Sequence, residues 1–480
     1  MERVQENKMG TMPIGKLLMG VSVPIVISMI VQALYNVVDS IFVAKLSENA
    51  LTAVSLAFPV QNLMIAVGVG TAVGVNSLLS RRLGEKNFEA ANRAASNGIF
   101  LAIISWLAFV LVGLLLSTTF FNAVAPIPVG ATAAEAASIL EIRAMGVSYM
   151  MVVTIGSPGL FISIINERLL QATGRSVYSM VSQLVGAITN IVLDPIMIFG
   201  LLGFPKMGVT GAALATIIGQ ILGMLVGLYF NIAKNHDIKI QIKGFRPGLK
   251  TIKHIYQVGL PSIVMQAIGS AMVFGLNLIL AAFSTTAVAV MGVYYKLQSF
   301  VFMPVFGFNN GMISIIGYNY GARNKERIRQ TLRIGLLVCA GIMLAGTVAF
   351  WLIPEVLLGF FDASPHMLEI GVPALRSISL CFPLAAISIV FSGVFQALGQ
   401  GVYSLIMSLV RQLVLILPLA WLLSRLWGLH AVWYAFILAE GAGIVLATLF
   451  FAHVWKSRIK PLQLPNPTKE AADALAEISD

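Results

Sequence analysis

Apolar residues along this chain fall in long, nearly unbroken blocks, with neither the alternation of a half-buried strand nor the three-and-four spacing of a surface helix. A helix needs about 20 apolar residues to cross a bilayer core. Blocks of that size are predicted over residues 15–44, 52–80, 93–117, 137–165, 168–199, 208–232, 251–281, 288–317, 327–355, 366–395, 400–427 and 430–455. The pattern therefore predicts an all-α polytopic membrane protein with twelve transmembrane helices. A Pro-containing loop around Pro126 and Pro128 joins the third and fourth spans.

Composition agrees. Of the 480 residues, 58% are hydrophobic and 11% charged, against about 45–50% and about 25% in soluble domains. That excludes a disordered chain and argues against a soluble enzyme. The net charge of +11 is sorted by position. Of 31 basic residues, 24 fall before the first span, after the last, or in every second loop. These include Arg81 and Arg82, Arg168 and Arg175, the Lys234–Lys253 loop, Arg323 to Arg333, and Lys456 onward. The opposite side has Lys45, Lys206 and Arg425. The positive-inside rule then places both termini in the cytoplasm of a multi-pass cell-membrane protein. Topology accounts for the charge, and no nucleic-acid partner is needed. Cys339 and Cys381 lie in apolar runs and read as buried reduced thiols. The five histidines have no ligand spacing, so neither a resident metal nor a cofactor is expected.

The chain also repeats itself. Pro24 and Pro261, Gly70 and Gly307, Gly74 and Gly311, Ser77 and Ser314, Gly84 and Gly321, and Asn87 and Asn324 share an offset of 237. Later the offset is 225, pairing Pro158 with Pro383, Ser163 with Ser388, Gln171 with Gln396, and Val177-Tyr178-Ser179 with Val402-Tyr403-Ser404. Gly208 then meets Gly428. Six spans per half make the repeat parallel, a two-lobe transporter architecture. The expected division is a cytoplasmic N-terminal segment (1–14), an N-terminal lobe (15–232), a cytoplasmic basic linker (233–250), a C-terminal lobe (251–455) and a cytoplasmic polar tail (456–480).

The segments LYNVVDSIFVAKL (34–46), SRRLGEKN (80–87), LLQATGRSVYS (169–179), ITNIVLDPIMIFG (188–200), GVTGAALAT (208–216), SFVFMPVFGFNNG (299–311) and IIGYNYGARN (315–324) together resemble the multidrug and toxic compound extrusion (MATE) family. The resemblance runs through both halves. It implies two six-helix lobes and export of organic, often cationic, compounds by antiport with H+ or Na+. The seventh span carries no acid, and Ala385 stands where the NorM-like branch has an aspartate in the tenth. The chain thus looks like the DinF-like branch, whose acids lie in the N-terminal lobe.

Carboxylates well inside spans are costly and mark function by default. Here they are Asp39, Asp194 and Glu440, with Glu141 near the start of the fourth span. Asn190 and Asp194 are one helical turn apart. In the pattern that the resemblance implies, Asp39, Asn190, Asp194 and Thr216 form a cation-coupling site for H+ or Na+. By the repeat offsets their counterparts are Leu276, Leu415, Leu419 and Phe436. The same framework therefore accepts apolar groups at all four positions. Pro24 and Pro261 are expected to kink the first and seventh helices. Lys296 is a candidate cavity charge, with snorkelling to the interface as the alternative. Arg411 and Glu440, near mid-depth in adjacent spans, are expected to form a structural ion pair. Expected partners are small organic substrates and the lipid bilayer, with a monomeric protein. The alternative function is a flippase for lipid-linked saccharide precursors, which needs a strongly cationic cavity.

The loop-charge asymmetry makes a direct topological prediction. Single cysteines placed between Lys234 and Lys253 should react with an impermeant maleimide only in inverted vesicles. Labelling in intact cells would reverse the topology.

Overall fold

The computed structural model describes residues 7–241 and 245–462, with the side chains of Asn36, Val37, Ser40 and Ala44 left out. Arg3, Lys243, Lys469, most of the polar tail and the Asn36 side chain lie outside that description. Among the described residues the regular structure is all helical. Among these residues eleven helices are long and apolar enough to cross a membrane, and a bent pair makes a twelfth span.

The first three spans are Ile14–Ala44, Glu48–Gly84 and Phe88–Val124. The seventh, eighth and ninth are Leu249–Ala281, Thr285–Gly321 and Lys325–Leu352. The ends at Ala44, Glu48, Gly84 and Phe88 recur 237 residues later at Ala281, Thr285, Gly321 and Lys325. So do the caps: Ser47 and Ser284 each accept a bond from the N–H three residues on, as do Asn87 and Asn324. Lys86 and Arg323 share a positive φ of 57° in the tight turns before those asparagines. The sequence repeat is therefore a structural one. At 37 residues, the second and eighth helices are about 55 Å long. Each outruns a bilayer core of about 30 Å and projects beyond it.

The fourth span is broken, as Ala133–Ile155 and Pro158–Ala172. A reciprocal Thr132–Glu135 capping box starts it. There the Thr132 backbone N–H donates to the Glu135 carboxyl at 2.8 Å. Its counterpart, the tenth, is Pro365–Ser379 followed by Phe382–Ala397, bent by 48°. The fifth span is Ser176–Phe199 and the sixth Gly208–Ala233. The eleventh runs from Gly401 to Trp427 and contains a π-helical stretch, Val410–Ile416. The twelfth is Tyr434–Val454.

Two sequence readings are corrected here. The fifth span does not begin at residue 168. The helix of the fourth continues to Ala172, and the chain turns at Gly174 with φ 76°. Glu167 and Arg168 are therefore inside a helix, not in a loop. Second, the π-helical stretch adds a residue to the eleventh helix. Asn190 and Asp194 are buried, whereas Leu415 and Leu419 are half-exposed and Ile416 and Ala420 are buried. Ile416 and Ala420 are thus the counterparts, one residue further along and still apolar.

The lobes meet backbone to backbone. A Cβ on Gly70 would lie 2.8 Å from the Ile263 nitrogen, and one on Gly74 would run into the Ile255 carbonyl. Symmetrically, Gly307 abuts Val26 and Gly311 abuts Ser22. Nearer the basic end, Gly84 presses on the Tyr318 carbonyl and Gly321 on that of Arg81. Ser314 adds a buried bond to Asn76 at 3.0 Å. The repeated glycines are the seam, in the manner of small-residue contacts in membranes.

The segment before the first helix straps this seam. Arg327 of the C-terminal lobe donates to the carbonyls of Met9 (3.0 Å) and Met12 (2.8 Å), and Asn319 donates to Met9 at 3.2 Å. On the other side Asn7 donates to Asp237, which also pairs with Arg175 at 3.1 Å. Burial and the nearby Arg175 push the Lys8 ammonium below its usual pKa. The basic linker is docked as well: the N–H groups of Lys239, Gln241 and Gly248 donate to Asn92, Ser96 and Asn97 of the third helix.

A methyl group at the seam should force the lobes apart. With spin labels at Glu89 and Lys325, Gly84→Ala is expected to lengthen or broaden the interlobe distance distribution relative to the parent. An unchanged distribution would show that the glycine contact does not set closure.

Candidate functional site

Above the seam lies a cavity of about 690 Å³ lined by both lobes. Each helix contributes one face at helical spacing. The first gives Ile25, Met29, Gln32 and Tyr35; the second half of the fourth gives Ser163, Ile164, Glu167, Arg168 and Gln171. The tenth answers with Ser388, Ile389, Ser392 and Gln396, the same face 225 residues on. Primary amides recur around the wall, among them Gln183, Gln220, Asn309 and Gln412. They solvate polar substrate groups without fixing one geometry.

The four residues of the anticipated cation site converge beside this cavity. Gly186, Gly219 and Gly223 let the fifth and sixth helices touch, so that a Cβ on Gly219 would lie 2.6 Å from the Gly186 carbonyl. That approach brings Asn190 to Thr216. Asn190 donates from Nδ2 to Thr216 Oγ1 at 3.2 Å and to Asp194 Oδ1 at 3.2 Å. The Asp39 carboxyl reaches Asp194 from the first helix. Asp194 is fully buried and Asn190 nearly so. Three oxygens in the cluster, Asp39 Oδ1, Asn190 Oδ1 and Asp194 Oδ2, have no hydrogen-bond partner. Orphaned buried oxygens are costly unless something donates to them or coordinates them. Two carboxylates and a carbonyl oxygen are hard ligands that suit a proton or Na+. Asn190 and Thr216 also line the cavity, so one wall is shared by cavity and cluster.

Arg411 and Glu440 form the anticipated ion pair, with both carboxylate oxygens within 3.2 Å of Arg411 Nη1. Ser388 also donates to Glu440 at 2.7 Å. Arg411 sits in the π-helical stretch and lines the cavity. Lys296 does not line it. Its side chain is exposed, with the ammonium 5.7 Å from the centre of the Phe361 ring, which corrects its candidacy as a cavity charge. Arg376 is also outside the cavity, bonded to the Trp351 carbonyl. The first helix runs unbroken through Pro24, with Ser28 Oγ donating to the Pro24 carbonyl. Cys339 and Cys381 are buried free thiols.

The sequence reading missed Glu167 and Arg168 as cavity residues. A signal was present: the Ser163–Ser388 and Gln171–Gln396 pairs bracket them in one repeated helix, and Gly174 is a suitable terminator for it.

Two helical lobes packed about a parallel repeat, with a cavity between them and buried acids beside it, define a membrane transporter. The chain belongs to the MatE family, whose family model matches residues 24–196 and 261–422. The two matched segments begin at Pro24 and Pro261, the first pair of the repeat. Among curated relatives, the "Multidrug export protein MepA" of Staphylococcus aureus (strain bovine RF122 / ET3-1) is 27% identical over 448 residues, 93% of this chain and 95% of that protein. A solved structure described as the outward-facing conformation of a multidrug resistance MATE family transporter superposes with a TM-score of 0.86 at 26% identity. It covers 95% of this chain and 99% of that one. A second, from Pyrococcus furiosus, is described as having a binding pocket of reverse polarity that suggests a different function. Its TM-score is 0.85 at 26% identity, over 95% of this chain and 98% of that one.

The Arg411–Glu440 pair gives a stability test. Glu440→Gln leaves the half-buried Arg411 guanidinium without its counter-charge, which costs up to about 3 kcal/mol, the low end of the range for buried pairs. It should lower the melting temperature of purified protein, and the double variant Arg411→Met, Glu440→Leu should recover most of the loss. Wild-type stability with abolished transport would instead place Glu440 among the coupling acids.

Proposed function

We propose that this chain exports multiple small organic compounds across the cell membrane by antiport with H+ or Na+. Both termini face the cytoplasm and the protein acts as a monomer. One observation carries the reading: Asn190 and Thr216 belong both to the cavity wall and to the cluster containing Asp39 and Asp194.

In this reading the basic end is cytoplasmic, the lobes are sealed there, and the cavity opens outward. A proton or Na+ arriving from outside satisfies the orphaned oxygens of Asp39, Asn190 and Asp194. Loading the cluster draws the outer part of the first helix toward the fifth. Because Ile25, Met29, Gln32 and Tyr35 precede Asp39 on the first helix, the movement reshapes the cavity wall they form. Pro24 removes one backbone hydrogen bond at the inner end of that segment, where bending costs least. Substrate and cation then disfavour each other through one wall, and the coupling is reciprocal in binding.

A strongly cationic cavity would favour the flippase alternative. Of Lys296, Arg376 and Arg411, only Arg411 lines the cavity, and Glu440 neutralises it; the other cation in the wall, Arg168, has the Glu167 carboxylate beside it, so the cavity is not strongly cationic.

Asp39→Asn and Asp194→Asn each remove a titratable group at nearly constant shape. Both proteins should fold, since Leu276 and Ala420 occupy the repeated positions. Efflux of a fluorescent organic cation from proteoliposomes should fall at least tenfold in each, under separately imposed H+ and Na+ gradients. The gradient that drives the parent identifies the ion. Parental efflux by both variants would remove the cluster from the mechanism.

A further inference from the structure

The ionisable groups that line the cavity are few enough to set out one by one. Glu167, Arg168 and Arg411 are the charged residues in its wall, with the phenol of Tyr35 beside them. Arg411 is already committed, since its Nη1 meets both oxygens of Glu440. The carboxylates of Asp39, Asp194 and Glu440 lie behind the wall rather than in it. That leaves one carboxylate and one guanidinium, on adjacent residues of the fourth span.

Among the described residues neither is fully satisfied. Glu167 accepts one long bond, from Ser163 Oγ at 3.5 Å. Arg168 donates from Nη1 to Gln171 at 3.1 Å, which leaves most of its five N–H groups free. Both side chains are half-buried and on the cavity face, where charge is weakly solvated. A guanidinium fork takes a carboxylate in two parallel bonds, and a carboxylate takes an ammonium.

The repeat shows that this dyad is an addition. Glu167 corresponds to Ser392 and Arg168 to Gly393. Gly393 is pressed against Asn309, whose Cγ would lie 2.8 Å from any Cβ there, so the C-terminal lobe has no room for a side chain at that place. The equivalent face folds and lines the same cavity with no charge at all. Two half-buried charged groups on a cavity wall cost folding energy unless they are fully partnered, and the counterpart face shows that the fold does not require them.

We infer that Glu167 and Arg168 form a subsite for amphoteric substrates, taking a basic amine on the carboxylate and an acidic group on the guanidinium. A substrate with only a positive charge satisfies Glu167 but is opposed by Arg168. A substrate carrying both charges satisfies both and leaves the remaining cavity, apolar and amide-lined, for its body. This deepens the proposed export function and rests on it.

The test uses one dye in two charge states: tetramethylrhodamine, a zwitterion at neutral pH, and its methyl ester, the corresponding cation. Efflux of each is measured from proteoliposomes under the driving gradient. The parent is expected to move the zwitterion at least as well as the ester. Arg168→Gln should slow the zwitterion at least tenfold and leave the ester unchanged or faster. Glu167→Gln should slow both dyes. Equal loss of both dyes in Arg168→Gln, with normal thermal stability, would overturn the subsite. So would a parent that moves the ester alone, while the export function stands. A parent that moves neither dye, nor any other organic cation, would refute the export function itself.

Discussion

Backbone contact between the lobes is the constraint on which the rest of this structure depends. In a bilayer no hydrophobic force draws helices together, so association relies on close packing. Here the packing comes from glycines that leave no room for a methyl group at Gly74, Gly84, Gly311 and Gly321. Their pseudo-symmetric arrangement makes each lobe's second helix the partner of the other lobe's first. Closing the lobes at the basic end leaves the space above the seam unfilled, and that space is the cavity. The Met9 strap lies across the same seam, held by Arg327 and Asn319 on one side and by Asp237 on the other. Rocking one lobe against the other must therefore break contacts that both lobes supply.

Much of this was legible in the residues. Apolar blocks gave the twelve spans, and offset arithmetic gave the repeat, because hydropathy and glycine spacing are direct consequences of crossing a membrane and packing closely within it. The grouping of Asp39, Asn190, Asp194 and Thr216 was also anticipated, and the four do converge. What stayed hidden has physical reasons. Glu167 and Arg168 lower local hydropathy, so a hydropathy reading ends the fourth span before them, although the helix continues to Ala172. The π-helical stretch at Val410–Ile416 leaves no compositional trace, yet it shifts every later position of the eleventh helix by one. Lys296 sits in an apolar block, and only three-dimensional placement shows its stem running to Phe361.

The two lobes share a scaffold and differ in charge. On the N-terminal side, polar groups at depth are unsatisfied: three orphaned oxygens in the acidic cluster and a dyad with few partners. On the C-terminal side the charges are satisfied, with Arg411, Glu440 and Ser388 bonded together. Satisfied buried charges hold a structure in one state, whereas unsatisfied ones gain energy from anything that enters. A symmetric pair of lobes would have no preferred place to respond to a ligand. Under the proposed antiport, an entering cation would act mainly on the N-terminal lobe, whose acids are unsatisfied, and less on the C-terminal lobe, whose charges are paired. Because Asn190 and Thr216 face both the cluster and the cavity, the same proposal gives that change a route to the cavity, through a wall whose bonds are shared by both sides.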